Sequence, residues 1–547
     1  MRLRLPTKAE RKEWLLEWGP WLLVWLPLAM WFIRPLWAVR VLPLDDLPNH
    51  LARITALHYL NDPRWNLSAY YERSLGAVPY LGHFYVVHLL TYLFRSVPRA
   101  NLVYMSAYVA GAPLCGLVFA RATGRSRWLA LLLLPLSIGI FFQWGFIAFC
   151  VGVMLTLPAC ALLYRTLDQP SWKRALGLGL LTGTLYLHHI LPWGAFGAYA
   201  FLLLAIELGA RRWRGPVVAA AAMLPSVGLF YSGLQRARSS GYLHAHQTYD
   251  AVKDGPAKIL GRATNLLNLW QQQNVDEWLQ IGLGLVLLVL LVSDGGPAPD
   301  EPWRKRARIP LAVVSFLLMA LLTPFWIKKP FNWWMVNVRF LMLVVALGCF
   351  LPRGPIAGAR AILIGLGLGL STLLPYYMTK NFREFSARAE PILKLIAETP
   401  LGSNTLFLHT PSQIGQHRPF DDPALAPEMA LWREMYNYPL VYRGGYDPYL
   451  YDDGFPIKRI GTARLNAPKV ESAAVQVWSV DETKFHPETM LYGWDFFIKR
   501  DDYTDAMPPD GVVLVDHQGS YELYRNLLKD QPLPQPENPI VAYPPDP

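Results

Sequence analysis

Apolar segments recur through the first two-thirds of the chain, at 18–42, 80–97, 100–120, 128–143, 145–164, 173–190, 192–210, 215–234, 278–293, 309–327, 336–351 and 360–378. Helices crossing a hydrocarbon core of about 30 Å need about 20 apolar residues, so these segments predict membrane spans, several of them short. Pro113, Pro135, Pro158, Pro192 and Pro225 are expected to kink or break helices locally. The pattern changes after residue 380. Residues 382–398 have helical periodicity, and 405–408, 474–478, 494–499, 512–515 and 521–524 read as strands, the last following a turn at Gly519. The expected fold is an α-helical polytopic membrane protein of about eleven to thirteen transmembrane helices with a C-terminal extracytoplasmic α/β domain. The helical part spans 1–379, with outer loops at 43–79 and 235–277, and the α/β part spans 380–547. The Pro-rich end, 531–547, is expected to fray.

Charge orients the spans. The N-terminus carries Arg2, Arg4, Lys8, Arg11 and Lys12. Basic connections recur at Arg121, Arg125 and Arg127, at Arg165, Lys173 and Arg174, at Arg211, Arg212 and Arg214, at 304–308, and at Arg353 and Arg360. The positive-inside rule puts all of these in the cytoplasm. The turns near Gln143, His189 and Trp333, the loop 235–277 and everything after Thr379 then lie outside. An odd number of crossings is needed between the first outer loop and Arg121, but only two apolar segments lie there. Residues 80–94 are therefore expected to be interfacial or half-inserted, the alternative being a missed span. The loop 235–277, with an amphipathic stretch at 256–269, could cover a site. Residues 294–308 read as a cytoplasmic linker.

Composition narrows the function. Residues 1–379 hold 35 Lys and Arg against 16 Asp and Glu, a balance of +19, and residues 380–547 hold 16 against 24, a balance of −8. A basic membrane part suits anionic lipid, and an acidic tail argues against nucleic acid as a partner. Cys115, Cys150, Cys160 and Cys349 all lie in apolar segments, so no disulfide framework or thiolate metal site is expected.

The most informative polar cluster follows the first span. If residues 47–61 are helical, Asp46, His50 and Arg53 are spaced i, i+4 and i+7 and share one face. A carboxylate beside a histidine and an arginine suits a general base that deprotonates an acceptor next to an anionic donor. Asp46 could instead only cap the helix, with Pro48 in its first turn, while His50 and Arg53 meet lipid headgroups.

With these residues the chain resembles the GT-C superfamily of integral membrane glycosyltransferases, which use a sugar carried on a polyprenyl phosphate. The resemblance rests on the layout of residues 1–380: a first span followed by an acidic outer loop, many spans and an outer soluble tail. It rests also on Pro79, Tyr80 and Leu81, on the run 121–125, and on Asn337, Val338, Arg339, Phe340 and Leu341 in a late span. It implies that Asp46, or less favourably Asp45, positions or deprotonates the acceptor. The anomeric carbon is meanwhile displaced from a lipid phosphate. The implied partners are a polyprenyl-phosphate sugar, membrane lipid, and a glycan, lipid or protein acceptor. A divalent metal is possible, but Phe141, Phe142, Gln143, Trp144 and Gly145, where a second acidic motif would fall, include no acid.

A lipid-phosphate leaving group calls for positive charge. Arg339, inside a span, is the leading candidate, because a buried arginine normally faces a polar partner or cavity. Lys328 and Lys329 also qualify, although lysines beside a span are ordinary anchors. His189, after His188, could contribute to substrate binding. Adjacent histidines point in different directions, so a metal pair is not expected. Tyr446, Asp447, Tyr449, Tyr451, Asp452 and Asp453 form an aromatic and acidic loop of the kind that binds sugars. No P-loop or dinucleotide fingerprint occurs, which favours a lipid-linked donor over a nucleotide sugar. A transporter or a non-catalytic glycan-binding or assembly protein is the alternative reading.

Overall fold

The computed structural model describes residues 8–239, 250–253, 255–263, 266–267, 275–293, 302–329, 333–409, 434–447, 457–459, 475–476, 479–481, 493–500 and 511–529. They are mostly helical and divide into two compact units. One comprises Met1–Leu47 with Leu75–Ala387; the other comprises Pro48–Ser74, Arg388–Asp452 and Ile457–Pro547.

Helices of the first unit are α1 (Lys8–Trp37), the start of α2 (Leu47–Tyr59), α3 (Leu81–Phe94), α4 (Val97–Thr123), α5 (Leu133–Ser137), α6 (Ile140–Gln143) and α7 (Ile147–Asp168). They continue as α8 (Trp172–His188), α9 (Ile190–Gly209), α10 (Arg214–Ser239), α11 (Pro256–Ala263), α12 (Val275–Val292), α13 (Trp303–Leu322), α14 (Val336–Gly348), α15 (Ala359–Ser371) and most of α16 (Leu373–Glu398). Among the described residues, seven segments are long and apolar enough to cross a bilayer: Trp18–Trp37, Val97–Thr123, Ile147–Asp168, Ile190–Gly209, Arg214–Arg236, Val275–Val292 and Ala359–Glu398. Helix α7 is central, with 78% of its apolar window buried against 17% for α10 and 22% for α12. It packs on α4, α8 and α9, and α13 packs along α14. Leu93, Phe201, Val292 and Leu322 project outward, fully aliphatic or aromatic and exposed. So much apolar surface suits hydrocarbon rather than water.

Two expectations need correction, those for 128–143 and for 294–308. The span expected at 128–143 is not one helix: a 3-10 turn over Arg127–Leu132 leads into α5, and α6 follows separately. Gly139 lies at that break, where a Cβ would collide with the Leu266 carbonyl oxygen, and Ile140 donates its N–H to the same oxygen at 2.9 Å. Helices α4, α7 and α10 run through Pro113, Pro158 and Pro225 without ending, and Pro192 sits in the first turn of α9, where proline costs little. Residues 302–308 do not all belong to a linker, because α13 begins at Trp303. Helix α3, with 14 residues, extends about 21 Å, short of a full crossing.

In the second unit the tail builds a mixed sheet. Its strands are β4 (Thr405–His409), β6 (Val475–Gln476), β7 (Ser479–Asp481), β8 (Phe496–Arg500), β9 (Val512–Gln518) and β10 (Tyr521–Asn526), in the order β6-β7-β4-β8-β10-β9. Strand β4 runs parallel to β7 and β8, and β10 pairs antiparallel with β8 and β9. Gly519 turns the chain between β9 and β10 with φ +61°. Part of segment 43–79 joins this unit: β1 (Tyr71–Arg73) pairs antiparallel with β5 (Ile457–Arg459). The helix expected at 382–398 is the end of α16, so the division falls inside a continuous helix.

Candidate functional site

The site grows from the turn after α6. The backbone N–H of Asp45 donates to the Gln143 carbonyl at 3.1 Å, and that of Asp46 to the Trp144 carbonyl at 3.2 Å. These bonds fix the two aspartates through their main chain. Gly145 makes this docking feasible: its φ is +77°, and a Cβ there would lie 2.8 Å from Asp46 N and 2.9 Å from Leu47 N. The turn that lacks a second acid therefore contributes the carbonyls that hold the first acidic pair.

The next residue, Phe146, places its ring under the Arg339 guanidinium at 4.2 Å, and Phe149, one turn into α7, follows at 5.7 Å. Arg339 is the fourth residue of α14, which starts after Met335, a residue with φ +55°. Trp334, just before that start, packs edge-on against Trp144 at 4.7 Å between ring centroids. One short segment, 144–146, thus touches both the Asp46 backbone and the Arg339 side chain. Asp46 and Tyr80 interact electrostatically with the guanidinium, and the Tyr80 hydroxyl hydrogen-bonds it.

Tyr80 and His189 close the site. Tyr80 has φ +74°, uncommon for a bulky residue, and its N–H donates to the His188 carbonyl at 3.2 Å. Its ring stands edge-on to His189 at 4.6 Å, and Phe149 does the same from another direction at 5.2 Å. His189 Nε2 lies 3.3 Å from Arg339 Nη1, and His189 Nδ1 accepts from the Leu191 N–H at 3.0 Å. His188 faces elsewhere, Nδ1 bonded to the Thr184 carbonyl at 2.8 Å and Nε2 to the Tyr104 hydroxyl at 3.1 Å. The two adjacent histidines therefore serve different surroundings. His83 lies near His188, stacked on Tyr104 and bonded to Asn101 at 2.7 Å.

Of the residues expected in the site, Asp45, Asp46, His189 and Arg339 belong to this arrangement, with Arg339 only 9% exposed and His189 1%. His50 and Arg53 lie on α2, Arg53 buried and His50 half-buried, in the second unit. Asp46 directly precedes the first residue of α2, where a carboxylate can also cap the helix. Lys328 and Lys329 end strand β3 (Trp326–Lys329), paired with β2 (Asp250–Val252) in the ribbon leading to α14; their side chains fall outside the described residues.

The sugar-binding expectation for Tyr446 and Asp447 meets a packed setting. Asp447 is 3% exposed and accepts from Asn437 Nδ2 at 2.6 Å, and Tyr446 packs against Tyr70, Tyr71 and Trp494. Tyr449, Tyr451, Asp452 and Asp453 lie outside the described residues, as do His244 and His246.

From the sequence alone, Tyr80 and Gly145 were assigned no site role, and Phe146 and Phe149 were not singled out. An aromatic run around a glycine at 141–149 was the available signal, but aromatic residues in an apolar segment ordinarily read as core. Among the described residues, no group of three or more His, Cys, Asp or Glu is arranged to hold a metal ion. No protein-family model matches the chain, and no curated protein matches it.

Proposed function

We propose that this protein is an inverting membrane glycosyltransferase of the GT-C type, taking its sugar from a polyprenyl-phosphate donor. The observation carrying this reading is that segment 144–146 holds both the Asp46 backbone and the Arg339 side chain, a carboxylate and a buried cation that interact electrostatically. Inversion needs a base on the acceptor and a charge clamp on the leaving group.

In this mechanism Asp46 takes the proton of the acceptor hydroxyl. The acceptor oxygen forms its bond to the anomeric carbon as the bond from that carbon to the phosphate oxygen breaks. The bonding electrons leave with the polyprenyl phosphate, and Arg339 stabilises the growing charge. Asp45 holds the loop and is the secondary candidate for the base. No step requires a metal ion. The acceptor is a glycan, lipid or protein presented at the outer face, and Lys328 and Lys329 supply further positive charge to the anionic substrate.

The same reading includes eleven to thirteen crossings, with the shorter apolar helices Leu81–Phe94, Arg127–Ser137 and Val336–Gly348 contributing partial or paired crossings. It also places the second unit outside the cytoplasm in a plasma or inner membrane. Single cysteines at exposed tail positions, probed with a membrane-impermeant thiol reagent on intact cells, test that placement.

The decisive experiment screens purified protein in nanodiscs against radiolabelled polyprenyl-phosphate sugars, following loss of sugar from the lipid. Asp46→Asn is expected to abolish transfer without reducing expression. Full activity in that variant would falsify the mechanism.

A further inference from the structure

Two hydrogen-bond donors meet at His189, and that conflict identifies what the site binds. An imidazole carrying its proton has at most one acceptor nitrogen. The Leu191 N–H points at Nδ1 from 3.0 Å, and Arg339 Nη1 points at Nε2 from 3.3 Å. The ring cannot accept from both.

The Leu191 contact takes priority. His189 is the N-cap of α9, with extended φ −162° and ψ 133°, and its Nδ1 serves one of the backbone N–H groups that a helix start leaves without a partner. That bond is local, short and set by backbone geometry. With Nδ1 accepting, the ring proton resides on Nε2. The Nε2–H and the Arg339 guanidinium are then two donors facing one another inside the protein.

Such a pair is satisfied by an acceptor oxygen shared between them. A single oxygen about 2.8 Å from each nitrogen forms a triangle on the 3.3 Å side that separates them. Arg339 adds a second indication, for its Nε is buried and has no hydrogen-bond partner among the described residues. Leaving a guanidinium nitrogen so placed is costly unless an anionic ligand uses it. The walls on other sides are aromatic: Tyr80, Phe146 and Phe149.

We infer that His189 is a binding residue for an oxyanion of the phosphate class, its Nε2–H and Arg339 Nη1 holding one phosphate oxygen, with the tautomer fixed by the cap on Leu191. This rests on the proposed function only in identifying the phosphate as lipid-linked. The oxygen-binding geometry stands on the two contacts of His189.

Asparagine and glutamine separate the two roles of the ring. His189→Asn sets an amide oxygen near the Nδ1 position, keeps the cap and deletes the Nε2–H. His189→Gln sets an amide N–H near the Nε2 position and loses the cap. Geranyl phosphate, geraniol and inorganic phosphate are titrated against the full-length protein in nanodiscs. Wild type is expected to prefer geranyl phosphate to geraniol. His189→Asn should weaken geranyl phosphate about tenfold, the loss of one charge-assisted hydrogen bond, and leave geraniol unchanged. His189→Gln should stay within about threefold of wild type.

The opposite order, with Asn tight and Gln weak, overturns the inference and leaves His189 as a cap alone. Equal binding of geranyl phosphate and geraniol by wild type also overturns it. If inorganic phosphate shows the Asn and Gln order while geranyl phosphate binds no tighter, the oxyanion site stands and the lipid-linked donor falls. If His189→Asn does not fold, His189→Phe preserves the ring packing against Tyr80 and Phe149 and should show the same selective loss.

Discussion

Arg308 grips Asp168 with two guanidinium nitrogens, at 3.0 and 2.8 Å, and reaches Glu207 at 3.3 Å with one of them. The contacts join α13 to the ends of α7 and α9. The Tyr199 hydroxyl donates to the Arg308 carbonyl at 2.6 Å, and the Tyr164 ring lies 5.2 Å from the guanidinium. Arg308 and Glu207 are both buried, whereas Arg212 and Lys305 add partly exposed charge at the rim. This network is distant in sequence from the proposed chemistry and fixes how the α13–α14 pair, which carries Arg339, packs on the central helices.

Among the described residues, removing Arg308 leaves the Glu207 carboxylate with only its 3.4 Å ion pair to Arg212. Arg308→Met should destabilise the folded protein by about 3–5 kcal/mol, the range for breaking one side of a buried pair. Adding Glu207→Gln and Asp168→Asn should recover much of that loss. Thermal unfolding of the single and triple variants in detergent checks both, and an unchanged transition in Arg308→Met refutes the network's structural role.

Gly145 offers a test of site geometry that leaves every charged group in place. Gly145→Ala meets Asp46 N and Leu47 N at under 3 Å and a positive φ, so the Asp46 tether must shift. Misplacement by an ångström can cost about a hundredfold in rate, and turnover should fall by at least about tenfold with expression retained. Gly111→Ala in α4 meets nothing within 4 Å and serves as control; it should be neutral or stabilise by up to about 1 kcal/mol. Comparable activity in the two variants counts against a catalytic role for the 144–146 turn.

The ease of reading differed along the chain for physical reasons. Asp46 and Arg339 stood out because charge beside or inside an apolar segment is expensive and rarely idle. The tail strands β4, β8, β9 and β10 showed through their β-branched and aromatic runs. Tyr80, Phe146 and Phe149 carried no such mark, since an aromatic ring has the same hydropathy under a guanidinium as in a core. The break at Gly139 was hidden because its cause, the Leu266 carbonyl, lies more than a hundred residues away. The same holds for the membership of residues 48–74 in the second unit, where Tyr71 pairs with Arg459. Hydropathy records which segments are apolar, not which distant backbone each one meets.

Arg339 is expected to tolerate no replacement, including lysine. Its planar group lies on Phe146 and interacts with Tyr80 while one nitrogen stands 3.3 Å from His189 Nε2, a placement an ammonium cannot reproduce. Arg339→Lys should raise KM for the lipid-linked donor by about tenfold or more, and Arg339→Gln further. Asp46→Asn should instead lower kcat with donor KM little changed. Steady-state kinetics with varied donor separates the two effects, and equal behaviour of Arg339→Lys and wild type argues against a fork-shaped phosphate contact.

In the second unit Asn404 ties together three separate segments through four partners. Its Nδ2 donates to the Tyr70 hydroxyl at 2.8 Å and to the Gly493 carbonyl at 3.0 Å, its Oδ1 accepts from the Tyr446 N–H at 2.8 Å, and its own N–H donates to Asp495 at 2.8 Å. Asn404→Ala deletes the three side-chain bonds and strands buried partners, costing about 2–4 kcal/mol. Asn404→Asp retains the acceptor for Tyr446, but it removes both donors and sets a second carboxylate close to Asp495. It should therefore destabilise at least as much as alanine near neutral pH, and the difference should shrink as the medium is acidified and the new carboxylate takes up a proton. Limited proteolysis of the full-length protein reads the effect as faster cleavage within the tail. Resistance equal to wild type in both variants would show that the Tyr70 and Tyr446 segments are held by their ring packing rather than by Asn404.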